Sequence, residues 1–253
     1  MKVRFTIGKK IGAGFGVLIL STLVIFYWTY DTVDKSEQIN NDITTIYNPS
    51  VATLEDFKLL LIKSRVYIYS WVFISKKPDD PVKEKLRDLI DNKNRRMERR
   101  IFNCSETWEK KEIQLRDSII TLVETLFSKH KLIMSQLNSF TDYEDPVNFF
   151  TAILMLEDEV EIRTNQILEK LDNLIAIQKG KTVSESDKMK EKIDFLKKLV
   201  LFTGLALLIG GILTAWLTRK SIVKPVFEVR DILLSLGKGL IPGKKMNETR
   251  TDE

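Results

Sequence analysis

"LVLFTGLALLIGGILTAWLT", residues 199–218, carries no charge over twenty positions. At about 1.5 Å of rise per residue, a helix of that length crosses the ~30 Å hydrocarbon core of a bilayer. A second stretch, "IGAGFGVLILSTLVIFYWTY" at residues 11–30, is also uncharged. Tyr27, Trp28 and Tyr30 stand at the end of that run and Trp216 near the end of the other, where amphipathic rings favour the membrane–water interface. A buried core helix rarely stays uncharged for so long, and here the pattern occurs twice. The pair reads as two transmembrane helices. The first reads as an uncleaved signal anchor, because its apolar part exceeds the usual ~7–15 residues of a signal peptide and lacks a small-x-small cleavage site.

The charge balance orients them. Lys2, Arg4, Lys9 and Lys10 precede the first run with no acid among them, and Arg219, Lys220 and Lys224 follow the second. By the positive-inside rule both termini face the cytoplasm and residues 31–198 lie outside it. Most of the net charge of +5 is therefore a topology signal. A nucleic-acid interface is not expected, because the excess positive charge flanks apolar segments instead of forming a soluble basic face.

Residues 31–198 contain one glycine, Gly180, and read as helix throughout. "SKKPDDP" (75–81) and "NSFTDYEDP" (138–146) are the clearest breaks; "FNCSET" (102–107) is weaker, with Ser105 as the candidate N-cap of the next helix. Four helices result, roughly 32–75, 82–102, 106–139 and 146–198. The last places Ile153, Leu156, Val160, Ile167, Leu171 and Leu174 near a 3-4 alternation. The first does so at Ile39, Ile43 and Ile46, then slips register to Leu54, Phe57 and Leu61, so a kink is expected at Pro49. "RVYIYSWVFI" (65–74) has strand-like composition, but its helical flanks and lack of a partner strand decide for helix. The expected fold is all-α: a membrane-anchored extracytoplasmic four-helix bundle. Cys104 is the only cysteine, so packing alone must hold it.

After residue 218 the apolar positions are Ile222, Val226, Val229, Leu233, Leu236 and Leu240, a 4-3-4-3-4 seam that needs partner helices. Pro225 disfavours unbroken helix, so a break or bend is expected at 219–225. This order of two spans around a helical domain, basic join, proline, short heptad helix, glycine and polar connector resembles bacterial transmembrane receptors. The outer part is similar to the four-helix-bundle sensor domain of methyl-accepting chemotaxis receptors. Residues 219–253 resemble the first part of a HAMP domain, in Pro225, the glycine after "LLSL" and the pair Asp252–Glu253.

The resemblance implies a cytoplasmic N-terminus at 1–10, spans at 11–30 and 199–218, a sensor domain at 31–198 and a partial HAMP domain at 219–253. It implies a homodimer in the inner membrane, paired along Ile222, Val226, Val229, Leu233 and Leu236. It also implies a relay through Arg219, Lys220, Lys224 and Pro225 to a cytoplasmic output domain or partner that is not in this chain. The outer cue would be a small anionic ligand or a periplasmic protein. The alternative reading is a membrane-anchored structural or accessory subunit that binds another protein through its helices.

Other motifs carry less. Aromatic and cationic character make Lys63, Arg65 and Tyr69 the candidate ligand residues, suited to a carboxylate or phosphate. "GAGFG" (12–16) follows no strand and lies in an apolar run, so no nucleotide loop is expected; Gly12 and Gly16 would instead allow close helix packing. His130, the only histidine, reads as a solvated or partly packed helix residue, and with one cysteine there is no metal-ligand spacing. Arg95, Arg96, Arg99 and Arg100 repel one another at helical spacing and are expected to pair with acids such as Glu106 or Glu109. "LEDEVE" (156–161) reads as a solvated acidic face. No catalytic residues, metal or cofactor are assigned.

Overall fold

The computed structural model describes residues 7–238, and among these every element is helical. Asp252, Glu253, Leu240 and the connector expected at 239–253 lie outside the described residues, as do Lys2 and Arg4. In chain order the helices are α1 (Ile7–Asp42), α2 (Asn48–Phe73), α3 (Pro81–Asp88), α4 (Asn94–Cys104), α5 (Lys110–Gln136), α6 (Phe140–Glu144), α7 (Pro146–Met155), α8 (Ile162–Thr218) and α9 (Lys224–Gly237). Four π-helical turns join neighbours without a loop: Ile43–Tyr47, Leu89–Lys93, Leu156–Glu161 and Arg219–Val223.

Two of these turns have a common cause. The Asn48 N–H donates to Ile43 O and the Lys224 N–H to Arg219 O, each closing a ring one residue wider than an α turn. A proline follows at once in both cases, Pro49 and Pro225, as the second residue of α2 and of α9. Proline has no N–H to give, and its ring crowds the carbonyl four residues back. One extra residue in the preceding turn moves that carbonyl aside. The break expected at 219–225 is therefore replaced by continuous helical winding with a π turn, and the register slip at Pro49 has the same origin. No proline follows the other two turns, and nothing in their sequences accounts for them.

The chain forms two compact units, one within Met1–Glu37 and Met189–Glu253 and the other Gln38–Lys188. In the second unit a single apolar core draws on Leu54, Phe57, Leu61 and Trp71 of α2, Leu86 of α3, Val123 and Leu126 of α5, and Leu171 and Leu174 of α8. Residues 65–74 are helical to Phe73 and supply Ile68, Trp71 and Val72 to this core, so packing overrides their strand-like composition. Ion pairs fix α2 as antiparallel to α8 and the π turn before it: Glu55 with Lys179 at 2.6 Å and Lys58 with Asp172 at 2.5 Å in α8, and Arg65 with Glu161 of that turn at 3.3 Å.

Helix ends follow local chemistry. Asp80 and Asp145 cap α3 and α7 by accepting from the N–H two residues on, each with proline as first helical residue. Ser105 does not cap α5 as expected. It ends α4, and Glu109 caps α5 through a reciprocal pair of bonds with Glu112. The short α6 was not apparent from the sequence; Ser139 and Asp142 form its capping box.

In the first unit two helices are long and apolar enough to cross a membrane. Their best windows reach mean hydropathies of 1.7 and 2.2, and none of either window is buried. The tightest described glycine contact between them is at Gly14, where an added Cβ would sit 2.9 Å from Thr214 Cγ2. Gly12 and Gly16, expected to pack, have no described neighbour within 4 Å of that position. The close approach uses the glycine between them.

Candidate functional site

The join between α8 and α9 is the most distinctive assembly of the first unit. In a plain α-helix, residues five apart point about 140° from one another. The wider ring of the π turn brings Lys224 back towards Arg219. Arg219, Lys220 and Lys224 therefore share one groove of about 580 Å³ with Trp216, Val223 and Phe227. Lys220 Nζ lies 5.1 Å from the Trp216 ring centre. Among the described residues no carboxylate holds any of the three cations. Pro225 is half-buried at the start of α9, and the seam residues Val226, Val229, Leu233 and Leu236 are exposed, with Ile222 half-buried.

The candidate ligand residues of the second unit divide. Arg65 and Tyr69, one helical turn apart, converge on Glu161. The guanidinium donates to Glu161 Oε1 at 3.3 Å and to Asn165 Oδ1 at 3.2 Å, and the Tyr69 hydroxyl donates to Glu161 Oε2 at 3.1 Å. Burial, then the Glu161 charge, raises the Tyr69 pKa. Lys63 is exposed and outside this set. A carboxylate of the chain thus already occupies the position that an anionic ligand would take on Arg65.

Glu159 plays a similar part, pairing with Lys129 at 2.7 Å and Arg163 at 3.6 Å, and Lys129 holds its carboxyl below the usual range. The acidic run at 156–161 is not a solvated face throughout. Leu156 and Val160 are buried, and two of its four carboxylates serve as counter-ions. The arginine run also pairs differently from expectation: Arg100 meets Asp56 at 3.0 Å, while Glu109 is taken by Lys181.

His130 is the larger correction. It is completely buried, neither ring nitrogen has a hydrogen-bond partner, and burial pushes its pKa down to about 3. Its ring centre lies 5.5 Å from that of Phe127. The sequence did carry a signal. Val123, Leu126, His130, Ile133 and Leu137 follow 3-4 spacing, and all five are buried.

Among the described residues no cluster of three or more His, Cys, Asp or Glu is placed to hold a metal ion. The half-buried Cys104 thiol donates to Ile101 O at 3.3 Å, and burial raises its pKa. No protein-family model matches the chain, and no curated protein or solved structure matches it either.

Proposed function

We propose that the protein is a two-pass transmembrane receptor whose outer helices form a four-helix bundle, sense a cue and relay it to a HAMP-type module. The observation that carries this reading is α8, a 57-residue helix holding core residues such as Leu171 and Leu174 and also the uncharged run at 199–218. It is followed at once by a basic π turn and a helix with an exposed heptad seam. A displacement or rotation of such a helix needs only a second arrangement within a few kcal/mol to act as a signal.

The test uses the chain fused to a known kinase output. One residue inserted between Arg219 and Lys224 rotates α9 by about 100° relative to α8. Output is expected to lock or invert with one or two added residues and to return largely with four. Unchanged output from one through four added residues would show a slack tether and refute the relay.

The reading places both termini in the cytoplasm of an inner membrane. In a Cys104→Ser background, an impermeant thiol reagent on intact cells is expected to label Lys131→Cys, an exposed outer position, and to spare Lys9→Cys until cells are opened. The reverse pattern would reject the topology.

A homodimer also fits α2, where Leu59, Val66 and Phe73 lie at heptad spacing with exposures of 48%, 57% and 46%. Oxidative crosslinking along the seam is expected to peak at Ile222, Val226, Val229, Leu233 and Leu236, with Val66→Cys crosslinking in the outer unit. A flat profile would point to a monomer. An accessory-subunit reading is favoured by the exposed apolar positions Val147, Phe150 and Leu154 around α7. Under that reading the insertion series has no effect on output.

A further inference from the structure

We propose that the groove at the α8–α9 join is a binding site for the headgroup of an acidic phospholipid of the cytoplasmic leaflet. The proposal rests on the membrane-spanning reading above, which sets this groove at the end of a span. Its content is the groove itself.

Three observations point to that ligand. First, the groove combines three cations with three apolar side chains. Arg219, Lys220 and Lys224 offer guanidinium and ammonium donors to phosphate oxygens. Trp216, Val223 and Phe227 are exposed by 56%, 41% and 48%, and would cover the glycerol and upper acyl region. A free inorganic anion would leave that apolar wall in water, whereas a lipid covers it.

Second, the cations are uncommitted. Some basic residues of the chain are held by neighbouring carboxylates, as Arg230 is by Asp231 at 2.8 Å. Among the described residues none does so for the three groove cations. Clustering three like charges is unfavourable alone, and an anion between them removes that repulsion.

Third, the π turn tightens the groove. With an ordinary α turn, Arg219 and Lys224 would diverge by about 140°. The extra residue draws Arg219 towards Lys220 and Lys224, next to aromatic rings suited to the interface. A diffuse basic flank attracts acidic lipid too, but needs no such arrangement.

That difference supplies the experiment. The full chain is reconstituted in phosphatidylcholine nanodiscs with a fixed minor fraction of brominated lipid, either phosphatidylcholine or phosphatidylglycerol. Trp216 quenching is read as the difference between each protein and its Trp216→Leu counterpart. Brominated phosphatidylglycerol is expected to quench with an apparent affinity at least about fivefold above phosphatidylcholine, the enrichment of roughly one basic residue at a membrane surface. The triple substitution Arg219→Gln, Lys220→Gln, Lys224→Gln should abolish the preference. Pro225→Ala keeps every charge and every groove residue but lifts the crowding that the π turn relieves; an ordinary α turn then parts Arg219 from Lys224, which should abolish the preference as well.

Equal quenching by the two lipids overturns the site while leaving the span intact. A preference that survives Pro225→Ala also overturns it, because diffuse charge would then suffice. Loss of the preference to inorganic phosphate at matched ionic strength shows a soluble-anion pocket and overturns the lipid assignment. Quenching by neither lipid removes the span and the site together.

Discussion

As pH falls from 6.5 towards about 3 the protein is expected to lose stability, at a rate that steepens below 6.5 to roughly 1 kcal/mol per pH unit, because of His130. Its ring is completely buried and both nitrogens lack partners, so the fold admits only the neutral form. The unfolded chain binds a proton near the ordinary value of 6.5, and the folded chain not until about 3. The group's folded pKa is lowered. The unfolded state therefore holds more protons throughout that window, and stability rises with pH across it. The whole effect approaches 4–5 kcal/mol, against a typical total of about 5–15.

Carboxylates that hydrogen bonds or cations hold low, such as Asp142, Glu109 and Glu159, also weaken the fold in acid. Their contributions begin to fall only as pH approaches the ordinary carboxylate range near 4.5. The interval from 6.5 to about 5 therefore isolates the histidine. Urea unfolding of the full chain in detergent should show the slope there. His130→Leu should flatten it and stabilise the protein even at pH 7, because two orphaned polar atoms are replaced by apolar volume. An unchanged slope in His130→Leu would rule out this account.

His130 also shows where the sequence was legible and where it was not. The helices, the uncharged runs and most core positions follow from periodicity, since one apolar stripe must find one core. Ile167, Leu171 and Leu174 were expected inside and are fully buried. His130 lies on the equivalent stripe of α5, yet it was expected to be a solvated or partly packed helix residue. Periodicity was the stronger signal.

The π turns were not legible, because a ring closed one residue late has no composition of its own. Only the prolines after them mark two of the four, and those marks were read as a kink and a break. The partners of Arg65 and Tyr69 were hidden for another reason. Glu161 is more than ninety residues distant in sequence, and only the antiparallel packing of α2 on α8 brings it near. Ion pairs between rods depend on register, which single-helix patterns do not fix.

Trp71→Ala is expected to destabilise the fold by about 3–5 kcal/mol, the largest effect of any single truncation in the second unit. Trp71 is the largest fully buried side chain among the described residues. Its indole N–H donates to Leu137 O at 2.8 Å, tying α2 to the end of α5. The Tyr143 hydroxyl donates to Trp71 O at 2.6 Å, which brings α6 to the same point. Lys83 of α3 sits 4.8 Å from the indole ring centre and donates to Leu137 O at 3.2 Å. Burial first, then the nearby Arg87 charge, lowers the Lys83 pKa, so the ring face and the carbonyls at this helix end are what hold its ammonium. Removing the ring opens a cavity and withdraws one support of a buried cation. Trp71→Phe keeps the ring face but loses the N–H, and should cost only about 1–2 kcal/mol. If the cluster acts as a unit, Lys83→Met and Trp71→Ala will be non-additive by at least about 0.5 kcal/mol in a double-mutant cycle. A loss under about 1 kcal/mol for Trp71→Ala, read from urea unfolding of the full chain, would mean that α2, α3, α5 and α6 are held together elsewhere.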